Sequence, residues 1–68
     1  MEFDATVQGE RYHFSSLNQN LFLVSSPRTE YLLYNNDRNW KCADEIEDQL
    51  LQNLGTAINE RLQAPHRR

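Results

Sequence analysis

His13 is the side chain of this 68-residue sequence best suited to acid–base chemistry, because imidazole titrates near neutral pH. On a strand the imidazole would share a face with the Ser15 hydroxyl two positions away, and Asp4 is the one carboxylate available to orient it. A serine–histidine–acid triad also requires a pocket and an oxyanion site. The sequence contains no glycine-rich loop or nucleophile-elbow motif that would form them. We therefore expect that the protein is not an enzyme.

Cys42 is the single cysteine, so no disulfide can form within the chain. Together with His13 and His66 it does not have the spacing of a metal site, and we expect neither a metal nor a cofactor. The first residues are acidic where a secretory signal would be basic, and no apolar run approaches the roughly 20 residues of a membrane span. These features predict a cytoplasmic protein that does not bind membranes.

Tyr34, Arg38 and Lys41 form the one local combination of an aromatic side chain with basic ones. Such a combination on a sheet is typical of proteins that stack single-stranded bases. The chain has ten acidic and seven basic residues, however, for a net charge of -3. Because phosphate contacts supply most of the affinity for nucleic acid, this balance argues against such a role. Weak single-stranded nucleic-acid binding through these three residues is kept as the alternative hypothesis.

The first part of the chain has an alternating pattern that is typical of strands. Apolar and polar residues alternate over residues 2–8 and again over residues 11–15, which predicts two strands of a hairpin. Gly9 supplies the positive φ of a tight turn. The loop is either Gln8-Gly9 or Gly9-Glu10, and both choices keep the apolar residues on one face.

Two short apolar runs follow a polar segment, residues 15–20, which we interpret as a linker. The runs, residues 21–24 and 31–34, are separated by serine and proline turn signals and predict a second hairpin with residues 26–29 as its loop. Polar and apolar residues then alternate over residues 38–42, which predicts a short fifth strand.

The period changes from two to about four at residue 44, which predicts an amphipathic helix. Its apolar stripe comprises Ile46, Leu50, Leu54, Ile58 and Leu62. Asp44 and Glu47 have the spacing of a capping box, and the acids of residues 44–48 suit the start of a helix dipole. Gly55 either permits a close approach of another element or divides the helix, and the unbroken stripe favours a continuous helix.

The second hairpin is apolar on both faces, which is unusual for a sheet covered on one face only. If residues 26–29 form the loop, the face richer in apolar side chains also gains Trp40 and belongs under the helix. The other face carries what we call the outer patch: Leu21, Leu23, Leu32 and Tyr34. Three accounts of the outer patch are open. It is an interface, it is covered by another part of the chain, or the assumed register is wrong.

The sequence thus predicts an α+β fold: an antiparallel meander of four to five short strands, then one C-terminal amphipathic helix packed on one face. Residues 1–64 form a single small domain, and residues 65–68 a disordered tip. The expected core comprises Phe3, Val7, Tyr12, Phe14, Phe22, Val24, Leu33, Trp40, Ile46, Leu50, Leu54 and Ile58. The leading functional hypothesis is a non-enzymatic protein-interaction or self-association module that uses the outer patch to bind a second copy or another protein.

Overall fold

The structure is a computed structural model that describes residues 1–37 and 39–63. It contains five strands and one helix: β1 (Glu2–Val7), β2 (Glu10–Asn18), β3 (Leu21–Ser25), β4 (Glu30–Asn36), β5 (Asn39–Cys42) and α1 (Asp48–Gln63). The strands form one antiparallel sheet in the order β1-β2-β3-β4-β5, and α1 packs on it. The predicted meander and its C-terminal helix are therefore confirmed. The predicted tip, residues 65–68, lies outside the described residues.

The first hairpin uses the first of the two loops considered. Val7 pairs with Glu10, which leaves Gln8 and Gly9 as a two-residue turn. Both have positive φ, 53° at Gln8 and 81° at Gly9, as a type I′ turn requires. Glycine adopts this conformation freely, whereas Gln8 has a β-carbon that disfavours it.

The predicted linker is wrong, because β2 continues through residues 15–18. Ser16 pairs with Phe22 and Asn18 pairs with Leu21, so Leu17 is the extra residue of a β-bulge. Pairing with the apolar β3 outweighs the low strand propensity of the serines and asparagine.

The second hairpin has the predicted register. Val24 pairs with Tyr31, and Leu21 pairs with Tyr34. On the next strand Cys42 lies opposite Leu33. The inner face of the sheet is therefore the one expected from the sequence.

The core lies between this inner face and the helix. Among the described residues, nine apolar side chains are buried there: Phe3, Val7, Tyr12, Phe14, Phe22, Val24, Leu33, Leu54 and Ile58. All nine belong to the predicted core, while Trp40, Ile46 and Leu50 are partly buried against it. Aromatic contacts dominate its centre: the rings of Phe3 and Phe14 stack at 4.6 Å, and Phe22 meets Trp40 edge-on at 5.6 Å.

The helix runs unbroken through Gly55 but begins three residues later than the capping box predicted. The carbonyl of Glu47 accepts a hydrogen bond from the Leu51 N–H at 2.9 Å, so Glu47 takes the N-cap position and Asp44 does not. Residues 43–47 instead carry the chain from β5 to the helix. The capping-box prediction is therefore wrong.

Gly55 lies in close contact with the sheet. A β-carbon built on Gly55 would lie 3.0 Å from Trp40 Cδ1 and 3.1 Å from Trp40 Cβ. The Trp40 Nε1–H also donates a hydrogen bond of 2.8 Å to Asn59 Oδ1, one turn further along α1. The close-approach alternative for Gly55 is thus the one observed. Through these contacts the helix rests on β5, and it also contacts β1 at the other edge of the sheet.

Candidate interaction surface

The outer patch lies on the face of the sheet opposite the helix. Leu21 lies across from Tyr34 and Leu23 across from Leu32, on the adjacent strands β3 and β4. Because their neighbours Phe22, Val24 and Leu33 point into the core, strand alternation directs all four patch side chains outward. The three leucines are half-buried and Tyr34 is 36% exposed. The structure therefore brings the four predicted residues together in one patch.

The structure bears on two of the three accounts of the outer patch, the error of register and the cover by another part of the chain. The register is the one assumed, so the patch does not result from an error of pairing. The segment predicted as a linker lies beside β3 within the sheet for most of its length, and not over the patch. The α1 helix contacts the edge strands β1 and β5 from the inner side. Within residues 1–37 and 39–63, the linker segment and the first hairpin lie in the sheet and the helix lies on its inner side, while the C-terminal tail, the other predicted cover, lies outside the described residues.

Polar residues border the patch on both sides. On the β2 side, Ser15 lies opposite Leu23 and His13 lies opposite Ser25. On the β5 side, Lys41 lies opposite Tyr34. The patch covers on the order of a few hundred Å², which is less than the roughly 800 Å² that each partner contributes to a standard interface. Any stable interface must therefore include these polar borders.

The β2 border leads into a charged network formed by Glu2, Asp4, Arg11 and His13. His13 Nδ1 lies 2.6 Å from Asp4 Oδ1, and His13 Nε2 lies 3.3 Å from Glu2 Oε1. Arg11 Nη2 lies 3.4 Å from Asp4 Oδ2. The hydrogen bond between His13 and Asp4 raises the pKa of His13 and lowers the pKa of Asp4. The network thus favours the charged forms of both side chains.

This network does not have the arrangement of a catalytic triad. Both imidazole nitrogens of His13 face carboxylates on β1, which leaves neither nitrogen directed at a serine. The Ser15 hydroxyl donates to Glu2 Oε2 at 3.4 Å instead. In a triad the second imidazole nitrogen must accept the proton of the nucleophile. The geometry is that of an ion pair between neighbouring strands.

Tyr34 and Lys41 also line a cleft of about 720 Å³ between the β4–β5 edge and the start of the helix. Its other side carries four acids: Asp44, Glu45, Glu47 and Asp48. Carboxylates at this position repel phosphate and oppose nucleic-acid binding by Tyr34 and Lys41. Arg38, the third residue of that alternative, lies outside the described residues. Glu47 and Asp48 are near enough to the helix start to interact with its dipole, whereas Asp44 and Glu45 precede it.

Other candidate sites are weaker. Cys42 is half-buried beside the same cleft. Within residues 1–37 and 39–63, no group of three or more histidine, cysteine or acidic side chains is placed to hold a metal ion. In the same ranges, no helix is both long enough and apolar enough to cross a membrane.

Sequence reasoning missed two side-chain contacts, one on the outer face and one between β5 and the helix. The His13–Glu2 contact was not expected, although the Gln8-Gly9 register places Asp4 directly opposite His13 and Glu2 one pair further along the same face. The Trp40–Asn59 hydrogen bond has no sequence signal, because it joins residues 19 positions apart on different elements.

Comparisons of the chain with protein-family models, with curated proteins and with solved structures found no match.

Proposed function

We propose that this chain is a non-catalytic protein-interaction module that self-associates by placing the outer patch of one copy against the outer patch of a second. The observation that carries the proposal is the pairing of Leu23 with Leu32 and of Leu21 with Tyr34 on the face that the helix leaves open. On β3 and β4, no charged residue lies between these four side chains. We expect this module to act in the cytoplasm, in line with its lone cysteine.

A second copy suits this surface because its apolar side chains can pack against the same side chains of another copy. Two sheets packed face to face lie about 10 Å apart and interdigitate their side chains, as the sheets of a β-sandwich do. A two-fold axis through the patch would set leucines against leucines in an isologous contact. The small apolar area predicts a weak dimer in equilibrium with monomer, not an obligate one.

The proposal is tested by measuring the solution mass by sedimentation equilibrium from micromolar to millimolar concentration. We expect the wild-type mass to rise toward twice 8.1 kDa as concentration increases. Leu32→Asp should remain monomeric, because a carboxylate in a closed apolar contact is costly to desolvate. Thr6→Asp, a charge on the same face but outside the patch, is the matched control and should dimerise as the wild type does.

Two results would contradict self-association: a wild-type monomer at every concentration, or a Leu32→Asp dimer as tight as the wild type. If Leu32→Asp does not fold, Tyr34→Asp replaces it, since Tyr34 is the most exposed member of the patch. A folded Tyr34→Asp variant that still dimerises would likewise count against this interface.

A further inference from the structure

The strand β1 is an edge of the sheet, and within residues 1–37 and 39–63 every second residue of this strand has backbone groups without a hydrogen-bond partner. The Ser16 N–H donates to the Met1 carbonyl at 2.8 Å, and Val7 pairs with Glu10 at the turn. In an antiparallel pair the bonded positions recur every second residue, so the odd-numbered residues of β1 bond to β2. Glu2, Asp4 and Thr6 therefore direct their backbone N–H and C=O groups away from β2.

A shallow groove follows this edge between β1 and the helix. One cavity of about 260 Å³ includes Phe3, Ala5 and Arg61, and another of about 270 Å³ includes Thr6. Both cavities are also lined by Ala57 and Glu60, so they lie next to each other along the strand. A sheet edge beside a helix wall is the arrangement in which proteins accept an extended peptide as an added strand.

The charge along this edge determines which peptide fits. The side chains of Glu2 and Asp4 are 64% and 43% exposed, and Glu60 stands on the helix side of the groove. Arg61 lies beside Glu60, with its guanidinium 5.1 Å from the centroid of the Phe3 ring, so three carboxylates and one guanidinium line this edge and its groove. Two copies paired antiparallel about Asp4 would set one Asp4 directly opposite the other, which is destabilising. Acidic side chains on an edge are a known protection against self-pairing. The same acids favour a strand with basic side chains.

We propose that β1 accepts an extended basic peptide segment of a partner protein as a sixth strand of the sheet. The peptide backbone bonds to Glu2, Asp4 and Thr6. Its alternate lysine or arginine side chains lie beside Asp4 and Glu2 on the outer face, where they compete with the solvent-exposed contacts that Arg11 and His13 make to these two carboxylates. The remaining side chains are small or apolar and enter the groove beside Ala57. This surface is separate from the outer patch, so the proposal does not depend on self-association.

The test is an NMR titration of the ¹⁵N-labelled chain with a ten-residue peptide in which lysine and valine alternate. The control peptide alternates glutamate and valine. We expect the lysine peptide to shift the amide signals of Glu2, Asp4 and Thr6 and to slow their hydrogen exchange, and the glutamate peptide to do neither. The variant Leu32→Asp should bind the lysine peptide as the wild type does, which separates this proposal from the function proposed above.

A proline variant separates strand addition from simple charge attraction. Thr6→Pro removes an N–H that faces the free edge and leaves the β1–β2 bonds intact. We expect Thr6→Pro to weaken binding at least tenfold, and Thr6→Ala to bind like the wild type. Equal binding by Thr6→Pro, or shifts confined to residues 44–48 of the acidic cleft, would overturn the proposal. If Thr6→Pro does not fold, unchanged exchange of the wild-type Asp4 and Thr6 amides at saturating lysine peptide would overturn it as well.

Discussion

Replacement of Gly55 by alanine should destabilise this protein, although the same change stabilises most helices. In an exposed helix interior alanine is favoured over glycine by about 1 kcal/mol. Here the new β-carbon would lie 3.0–3.3 Å from three atoms of Trp40, which is too close for an undisturbed contact. The Trp40 ring is held on two further sides, by the edge contact with Phe22 and by the hydrogen bond to Asn59.

The magnitude follows from these opposing effects. Inserting a methyl group into a packed contact costs about 1–3 kcal/mol, and losing a neutral hydrogen bond costs about 0.5–1.5 kcal/mol. Subtracting the gain in helix propensity leaves a net loss of about 1–3 kcal/mol. For a domain of this size that loss corresponds to a fall in Tm of roughly 4–24 °C.

Urea denaturation followed by circular dichroism measures the free energy of unfolding, and the fluorescence of the single tryptophan reports directly on its contact with residue 55. The matched background is Trp40→Leu, which removes the ring. In that background Gly55→Ala should stabilise the chain, because only the propensity gain remains. A wild-type-background Gly55→Ala protein that is more stable than its parent would refute the close-approach argument.

Three further predictions concern the turn, the charged network and the helix contact. Gln8→Asn should raise the free energy of unfolding by a few tenths to about 1 kcal/mol in urea denaturation, because asparagine tolerates positive φ better than glutamine; no change would contradict a strained turn. Because the pKa of His13 is raised, His13 stabilises the fold fully below its ordinary pKa of 6.5, and this stabilisation is lost as the pH rises through the raised pKa. Because the pKa of Asp4 is lowered, Asp4 stabilises the fold fully above its ordinary pKa of 3.8, and this stabilisation is lost as the pH falls through the lowered pKa. The Tm should therefore be highest between about pH 4 and 6.5, and His13→Gln should remove the decline on the alkaline side; a decline that survives in His13→Gln would assign it to another group. Asn59→Ala should cost about 1 kcal/mol by freeing the Trp40 N–H, measured by the same denaturation, while Thr56→Ala, on the exposed helix face, should not.

The parts of the fold that could be predicted are those specified by local pattern. The second hairpin combines two four-residue apolar runs with a proline-containing loop, and this combination admits one register in which both runs pair along their full length. The apolar residues of the helix recur with the same spacing before and after Gly55, so the continuous helix could also be predicted. Each signal is contained within one element or one hairpin.

The parts that could not be predicted depend on contacts between distant segments. The end of β2 looks like a linker because its serines and asparagine carry no strand signal, and it becomes a strand by pairing with β3. Similarly, Asp44 has the spacing of an N-cap, but the chain first has to travel from β5 to the position where Glu47 can begin the helix. The local pattern of apolar and polar residues does not specify the pairing of β2 with β3 or the path from β5 to the helix.

The exposure of the outer patch also depends on contacts between distant segments, because it is set by the face of the sheet on which the helix packs. The helix contacts the two edge strands β1 and β5, and Gly55 allows it to sit directly on Trp40. The helix covers the inner face of the sheet and leaves the outer side chains of the central strands β3 and β4 on the opposite face. An apolar pair such as Leu23 and Leu32 therefore contributes nothing to the helix–sheet core, and its apolar character has to be explained by the surface itself. We therefore expect a charge at Leu32 to change the oligomeric state of the protein, and a methyl group at Gly55 to change its free energy of unfolding.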